Sequence, residues 1–162
     1  MHPLPPQDLG FFEAAPLRIS ESATIAAPPL RVFAAFADVS SWPKWFPLMH
    51  SARWVSDEIE RVGAEREVKL YGLGNYVERF LAWEPGERFA FTMTESSSPL
   101  AAALGEDFRM SPVRDGAATR LAWTLAAEPT LIGKVLRLGL EATMRRVFLR
   151  SGKQLEAYLA GR

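Results

Sequence analysis

From about Thr130 to Leu159 the chain reads as one uninterrupted helix. Ile132, Val135, Leu136, Leu140, Met144, Val147, Phe148, Leu155 and Tyr158 recur at three- and four-residue steps, the spacing of one apolar helical face. Arg137, Arg145, Arg146, Arg150 and Lys153 fill the other side. About thirty residues at about 1.5 Å each make a rod of roughly 45 Å, long enough to cross a whole sheet. A terminal rod of that size restricts the fold to architectures with something for it to cover.

What precedes it is strands. In LRISESATIA, Leu17, Ile19, Ala23 and Ile25 share one parity while Arg18, Ser20, Ser22 and Thr24 share the other, the alternation of a half-buried strand. Glu21 breaks the inward set and suggests a rim or an edge. APPLRVFAAFADV opens with prolines suited to a first helical turn and puts Val32, Phe33 and Phe36 on one face. SWPKWFPLM then spaces Trp42, Trp45, Phe46 and Met49 at i, i+3, i+4 and i+7, a very short amphipathic helix limited by Pro47. From His50 to Ala127 strands and turns alternate. Gly72-Leu73-Gly74 and Glu84-Pro85-Gly86-Glu87 mark tight connections, and SSSPLAAALGED reads as a looser one or a strand broken by proline. Phe89, Phe91 and Met93 share a parity, as do Phe108 and Met110, and Leu121, Trp123 and Leu125. Strands joined by short turns make an antiparallel meander. A sheet of that many strands must hide one face. The expected fold is therefore α+β: a curved sheet of about seven strands around the terminal helix.

Composition narrows the function. Lys plus Arg and Asp plus Glu balance at 19 each, so the basic excess of a nucleic-acid binder is missing. No window approaches the apolar length of a membrane span, and no run of like charge appears. With no cysteine and only His2 and His50 as histidines, no thiolate chemistry and no closely spaced metal site are available, and no cofactor is expected. MHPLPPQDLGFFEAAP lacks the charged start and apolar block of a signal peptide. It reads either as a loose arm over residues 1–16 or as an arm pinned by Leu9, Phe11 and Phe12. Residues 17–162 form the domain, and a cytoplasmic location is expected.

IAAPPLRVFAAFADVSSWPKWFP, AWEPGERFAF, DGAATRLAWTL and the long terminal helix, in that order, resemble the helix-grip superfamily of START-related lipid-transfer and polyketide cyclase/dehydrase-like (SRPBCC) domains. The resemblance covers about residues 18–160. It implies a cavity between sheet and helix, with the short helices at its floor or mouth, and a hydrophobic small molecule as partner. Gly72-Leu73-Gly74 is shorter than the glycine-rich loop of the plant members and reads as a hairpin turn.

The expected ligand-facing surface is Trp45, Phe89, Phe91, Phe108, Trp123, Leu140, Met144 and Phe148. Such a lining suits a lipid, quinone or polyketide-like aromatic oriented by a few polar groups. Tyr71, Tyr76, Glu78, Arg79, Glu95, Asp107 and Arg109 are the ionisable candidates. Parity puts Arg109 outside and lets only one of Glu78 and Arg79 point inward. Ser96-Ser97-Ser98 reads as solvated loop, and His50 as a boundary residue near the cavity mouth. No catalytic dyad is recognisable. An enzyme of the cyclase, dehydratase or aromatase kind on the same scaffold remains the rival, as does an interaction module using the aromatic short helix.

Overall fold

The computed structural model describes residues 1–161. After a two-residue strand β1 (His2–Pro3) and one helical turn α1 (Phe11–Ala14) comes β2 (Leu17–Ile25), followed by the short helices α2 (Pro29–Ala37) and α3 (Trp42–Trp45). Six strands follow: β3 (Met49–Trp54), β4 (Glu65–Leu70), β5 (Gly74–Glu84), β6 (Arg88–Ser96), β7 (Ala101–Val113) and β8 (Ala118–Pro129). The chain ends in α4 (Leu131–Ala160). The strands form one antiparallel sheet in the order β2-β8-β7-β6-β5-β4-β3, a meander in which β2 returns to pair with β8. This is the helix-grip arrangement.

Tight turns hold the meander together where the sequence supplies glycine. Gly72 and Gly74 have φ of 73° and 100°, which only glycine adopts freely, so the β4–β5 hairpin closes without strain. SSSPLAAALGED is not a loose connection over its whole length: β7 begins at Ala101, and only residues 97–100 form the turn. The start of α4 is pinned to that turn. Thr130 caps the helix by accepting from the Gly133 N–H at 3.2 Å, and its own hydroxyl donates to the Pro99 carbonyl at 2.7 Å.

The aromatic stretch after α2 is buried. Trp42 and Trp45 are sealed in the core, while Met49 begins β3 instead of extending α3. Their ring nitrogens find partners inside: Trp42 donates to the Phe36 carbonyl and Trp45 to the Ser41 hydroxyl, both at 2.9 Å. Ser41 passes the bond on to the Ala35 carbonyl at 2.6 Å. Burying a tryptophan is favourable only when its N–H is satisfied, and here Phe36 of α2 and Ser41 just after it supply the partners.

The N-terminal arm packs on the sheet. β6 pairs with β7 only from Arg88 to Thr92, after which the two strands diverge. β1 takes the vacated side of β6, matching His2 with Ser96 and Pro3 with Glu95, and the Leu4 N–H donates to the Thr94 carbonyl at 2.8 Å. Farther on, Phe12 joins Ala15, Ala82, Ala90 and Ala126 in a second small core on the face of the sheet away from α4. The anchors are Leu4 and Phe12, with Phe11 half-buried against the same cluster; Leu9 is exposed. Gly105 makes the fit possible, because a Cβ there would stand 3.2 Å from the Phe12 ring and 2.9 Å from the Phe91 carbonyl.

The apolar stripe read from the sequence holds from Leu140 onward but not in the first turns of α4. Phe148, Leu155 and Leu159 are buried, and Leu140, Met144, Val147 and Tyr158 are half-buried. Ile132, Val135 and Leu136 face solvent instead. The helix positions of its first turns are apolar on nearly every side, so periodicity alone does not select the inward one.

Candidate functional site

Between the sheet and the N-terminal half of α4 lies a cavity of about 100 Å³. Leu17 and Ile19 of β2, Leu125 and Ala127 of β8, and Leu104 of β7 form one wall. Leu140 and Met144 of α4 close it from the other side, and Leu4 of the arm fills the split between β6 and β7. A single water needs about 10–15 Å³ of such space, so there is room for several water-sized groups.

The cavity has one polar pole, made by Glu106, Tyr76, Ser96 and Ser98. Glu106 accepts a hydrogen bond from the Trp123 ring N–H at 2.8 Å. Burial, then the nearby Glu78 charge, push its carboxyl up to about 7, with the Trp123 bond and Arg66 pulling the other way. The group therefore sits near half-protonation at neutral pH, able to donate to a carbonyl or accept from a hydroxyl. The Tyr76 hydroxyl donates to the Leu73 carbonyl at 2.8 Å, and burial raises its pKa, so it remains a neutral phenol. The Ser98 N–H donates to the Ser96 hydroxyl at 2.9 Å, which turns both serines inward; they are buried lining, not solvated loop.

Beyond the pole the interior is solid and aromatic. Trp123 stacks on Phe148 with centroids 4.9 Å apart and on Phe108 at 6.2 Å. Phe89 and Phe91 continue the packing, and Trp45 lies against Phe36 at 5.1 Å. Of the eight residues expected to face a ligand, Leu140 and Met144 line the cavity. Trp45, Phe89, Phe91, Phe108, Trp123 and Phe148 belong instead to this packed core, because the short helices press Phe33, Phe36 and Trp42 into the space between them.

Embedded in that core is a buried ion pair. The Arg66 side chain donates from Nε to the Glu78 carboxylate, and both are almost wholly inaccessible. The Arg66 guanidinium carbon is 4.3 Å from the Trp42 ring centroid and 5.0 Å from that of Phe91. Its two terminal nitrogens have no hydrogen-bond acceptor, so the aromatic faces are what compensates them. Burial pushes the Glu78 carboxyl up, and Arg66 pulls it part of the way back.

The other ionisable candidates lie elsewhere. Arg79 pairs with Glu65 on the surface, Glu95 and Tyr71 are exposed, and Arg109 is outside, as its parity requires. Asp107 is buried on the outer face between Arg88 and Arg109. His50 is exposed, edge-on to Tyr71 at 5.1 Å, and does not line the cavity. Glu106 and Arg66 escaped the sequence reading although the signal was present. Glu106 shares the parity of Phe108 and Met110, and Arg66 that of the buried Val68. Among the described residues no group of acidic or histidine side chains is placed to hold a metal.

Known proteins with this architecture give the site its context. An uncharacterized protein of Mycobacterium tuberculosis is 34% identical over 157 residues, covering 93% of this chain and 91% of that one. The crystal structure of an aromatase/cyclase from a Streptomyces species superposes with a TM-score of 0.74 at 16% identity, covering 89% of this chain and 93% of that one. A START superfamily protein from Mycobacterium smegmatis gives 0.66 at 15%, covering 89% and 97%. At such identities the two structures establish a shared fold. Residues 16–160 match the family described as polyketide cyclase / dehydrase and lipid transport, and the chain belongs to that family.

Proposed function

We propose that this protein binds and carries, in the cytoplasm, a hydrophobic small molecule of the lipid, quinone or polyketide-like aromatic kind. One observation carries the reading: a part-open, mainly apolar space between sheet and helix, with a few polar side chains in its lining. Leu17, Ile19, Leu125, Leu140 and Met144 take the apolar body, and Glu106 with the Ser96–Ser98 pair takes one oxygen-bearing end. Sites of this composition fix orientation with few polar groups and draw affinity from apolar area. Trp123 acts through Glu106, whose carboxyl it orients.

The test is native mass spectrometry of protein purified from its own host, beside the variant Ala127→Phe, which fills the cavity from β8. A lipophile retained by the wild type and missing from a folded Ala127→Phe variant supports carriage. A wild type free of any lipophile, and indifferent to added quinones and fatty alcohols, refutes it.

Glu106 also favours a second reading, an enzyme of the cyclase or dehydratase kind. A carboxyl titrating near neutrality inside a cavity has the property a general acid or base needs. It shares no hydrogen bond with Tyr76, whose hydroxyl is turned to Leu73, so a paired proton relay is not assembled. The interaction-module reading required Trp42 and Trp45 as an exposed patch, and both are buried.

A further inference from the structure

The first turns of α4 turn leucine and valine outward. Leu131 is 78% exposed, Val135 78% and Leu138 82%, values that belong to charged surface residues. With Ala142 they follow at steps of four, three and four, so they form one line along the solvent side. Ile132 and Leu136, about half exposed, widen it. The opposite side of the same turns, through Gly133, Leu140 and Met144, lines the cavity. A contiguous exposed apolar strip on a folded chain calls for a covering surface.

Charge says which surface. Along α4, six cations (Lys134, Arg137, Arg145, Arg146, Arg150 and Lys153) stand against two acids, Glu141 and Glu156, although the whole chain is balanced. Arg146 and Lys153 continue the outward line beyond Ala142, and Arg150 flanks it. Among the described residues none of Arg146, Arg150 and Lys153 pairs with a carboxylate; Arg137 and Arg145 do, with Glu141 and Glu21. Helical geometry gathers cations that are scattered in the sequence, which is why no run of like charge is visible there. A second copy would bring to this face an α4 with only Glu141 and Glu156 against six cations, so the same helix offers no acidic strip to answer Arg146, Arg150 and Lys153. An anionic lipid surface takes the leucines into its acyl boundary and the cations among its phosphates.

We propose that the outward face of residues 131–142, with the basic turns that follow, docks this protein on an anionic lipid bilayer. The contact is peripheral: no helix of the described chain is long and apolar enough to cross a membrane. It stands independently of the cavity's contents, but it lays the bilayer over the helix that closes the cavity.

Co-sedimentation with vesicles of phosphatidylcholine and phosphatidylglycerol in equal parts tests the proposal, with pure phosphatidylcholine vesicles alongside. The wild type binds the mixed vesicles, more weakly as salt rises, and binds pure phosphatidylcholine poorly. The double variant Val135→Ser/Leu138→Ser keeps its unfolding transition, since both side chains are exposed, and binds at least about tenfold more weakly. The triple variant Arg146→Gln/Arg150→Gln/Lys153→Gln loses the preference for the mixed vesicles. No binding by the wild type, unchanged binding by the serine variant, or a wild-type dimer that the serine variant dissociates would each overturn the assignment.

Discussion

Replacing Glu106 with glutamine separates what burial does to this carboxyl from what its shape does. Glutamine keeps an oxygen to accept from the Trp123 N–H and nearly the same volume, but it cannot ionise. In the folded protein the carboxyl titrates at about 7, against an ordinary value of 4.5. Between those two values the folded state holds a proton that the unfolded chain has released. Stability therefore falls as pH rises through that window, beginning above the unfolded value and ending above the folded one. The full difference corresponds to about 3 kcal/mol, a ceiling because Glu106 is only half-buried and solvent screens its charge. Glu106→Gln is accordingly close to wild type in stability at about pH 5 and more stable by up to about 3 kcal/mol at about pH 8. In a chain of this length that is a rise of roughly 6–12 °C in Tm. Urea denaturation of both proteins at both pH values gives the double difference, in which contributions from other titrating groups largely cancel. Equal differences at the two pH values, or a variant less stable at the higher one, would show that the carboxylate is solvated or paired when ionised.

The Arg66–Glu78 pair and the arm carry the other two predictions. Arg66→Ala leaves a buried carboxyl facing aromatic rings and costs about 3–5 kcal/mol in denaturant unfolding, whereas Arg66→Met/Glu78→Leu recovers most of that loss. A double variant no more stable than Arg66→Ala would mean that the pair contributes net stability rather than compensating its own desolvation. On the outer face, Phe12→Ala costs about 3–5 kcal/mol and exposes the first ten residues to proteolysis. An arm that remains protected in that variant would assign its hold on the sheet to β1 and Leu4 alone.

Most of the fold was legible because two periodicities were clean. Alternation in LRISESATIA and TRLAWTLAA fixed inward faces that the structure reproduces, and the terminal helix was bounded to within a residue or two. The aromatic stretch was legible as a stripe but not as a boundary, since Pro47 ends α3 early and Met49 belongs to a strand. The arm was harder. Its first contact is a strand pair of two residues, made possible by the divergence of β6 from β7, and nothing local in MHPLPP encodes that gap. The first half of α4 misled for a different reason. LIGKVLRLGLEA offers leucine on too many sides for a 3.6-residue period to choose among them, and the choice is made by Gly133, where a Cβ would come within 2.1 Å of the Leu100 carbonyl.

The position of the cavity follows from the same contrast between the two halves of α4. In the C-terminal half Phe148, Leu155 and Leu159 drop onto a sheet already filled by Phe36, Trp42, Phe89 and Phe108, and the interior closes. In the N-terminal half the residues meeting the sheet are Gly133, Leu140 and Met144, too small or too few to reach Leu17, Ile19 and Leu125 across the gap. The largest side chains therefore mark the packed core. The cavity lies where large side chains stop, and its polar lining comes from residues caught on inward parity at that boundary. Glu106 is the clearest case: two residues from Phe108 on the same face, it begins the pole where the stacked aromatics of Trp123 and Phe148 end. A carboxyl on the inward register of a core strand is costly unless something in the interior uses or compensates it. Trp123 supplies one hydrogen bond, and Glu106 lines the cavity where a ligand could supply the rest of the compensation.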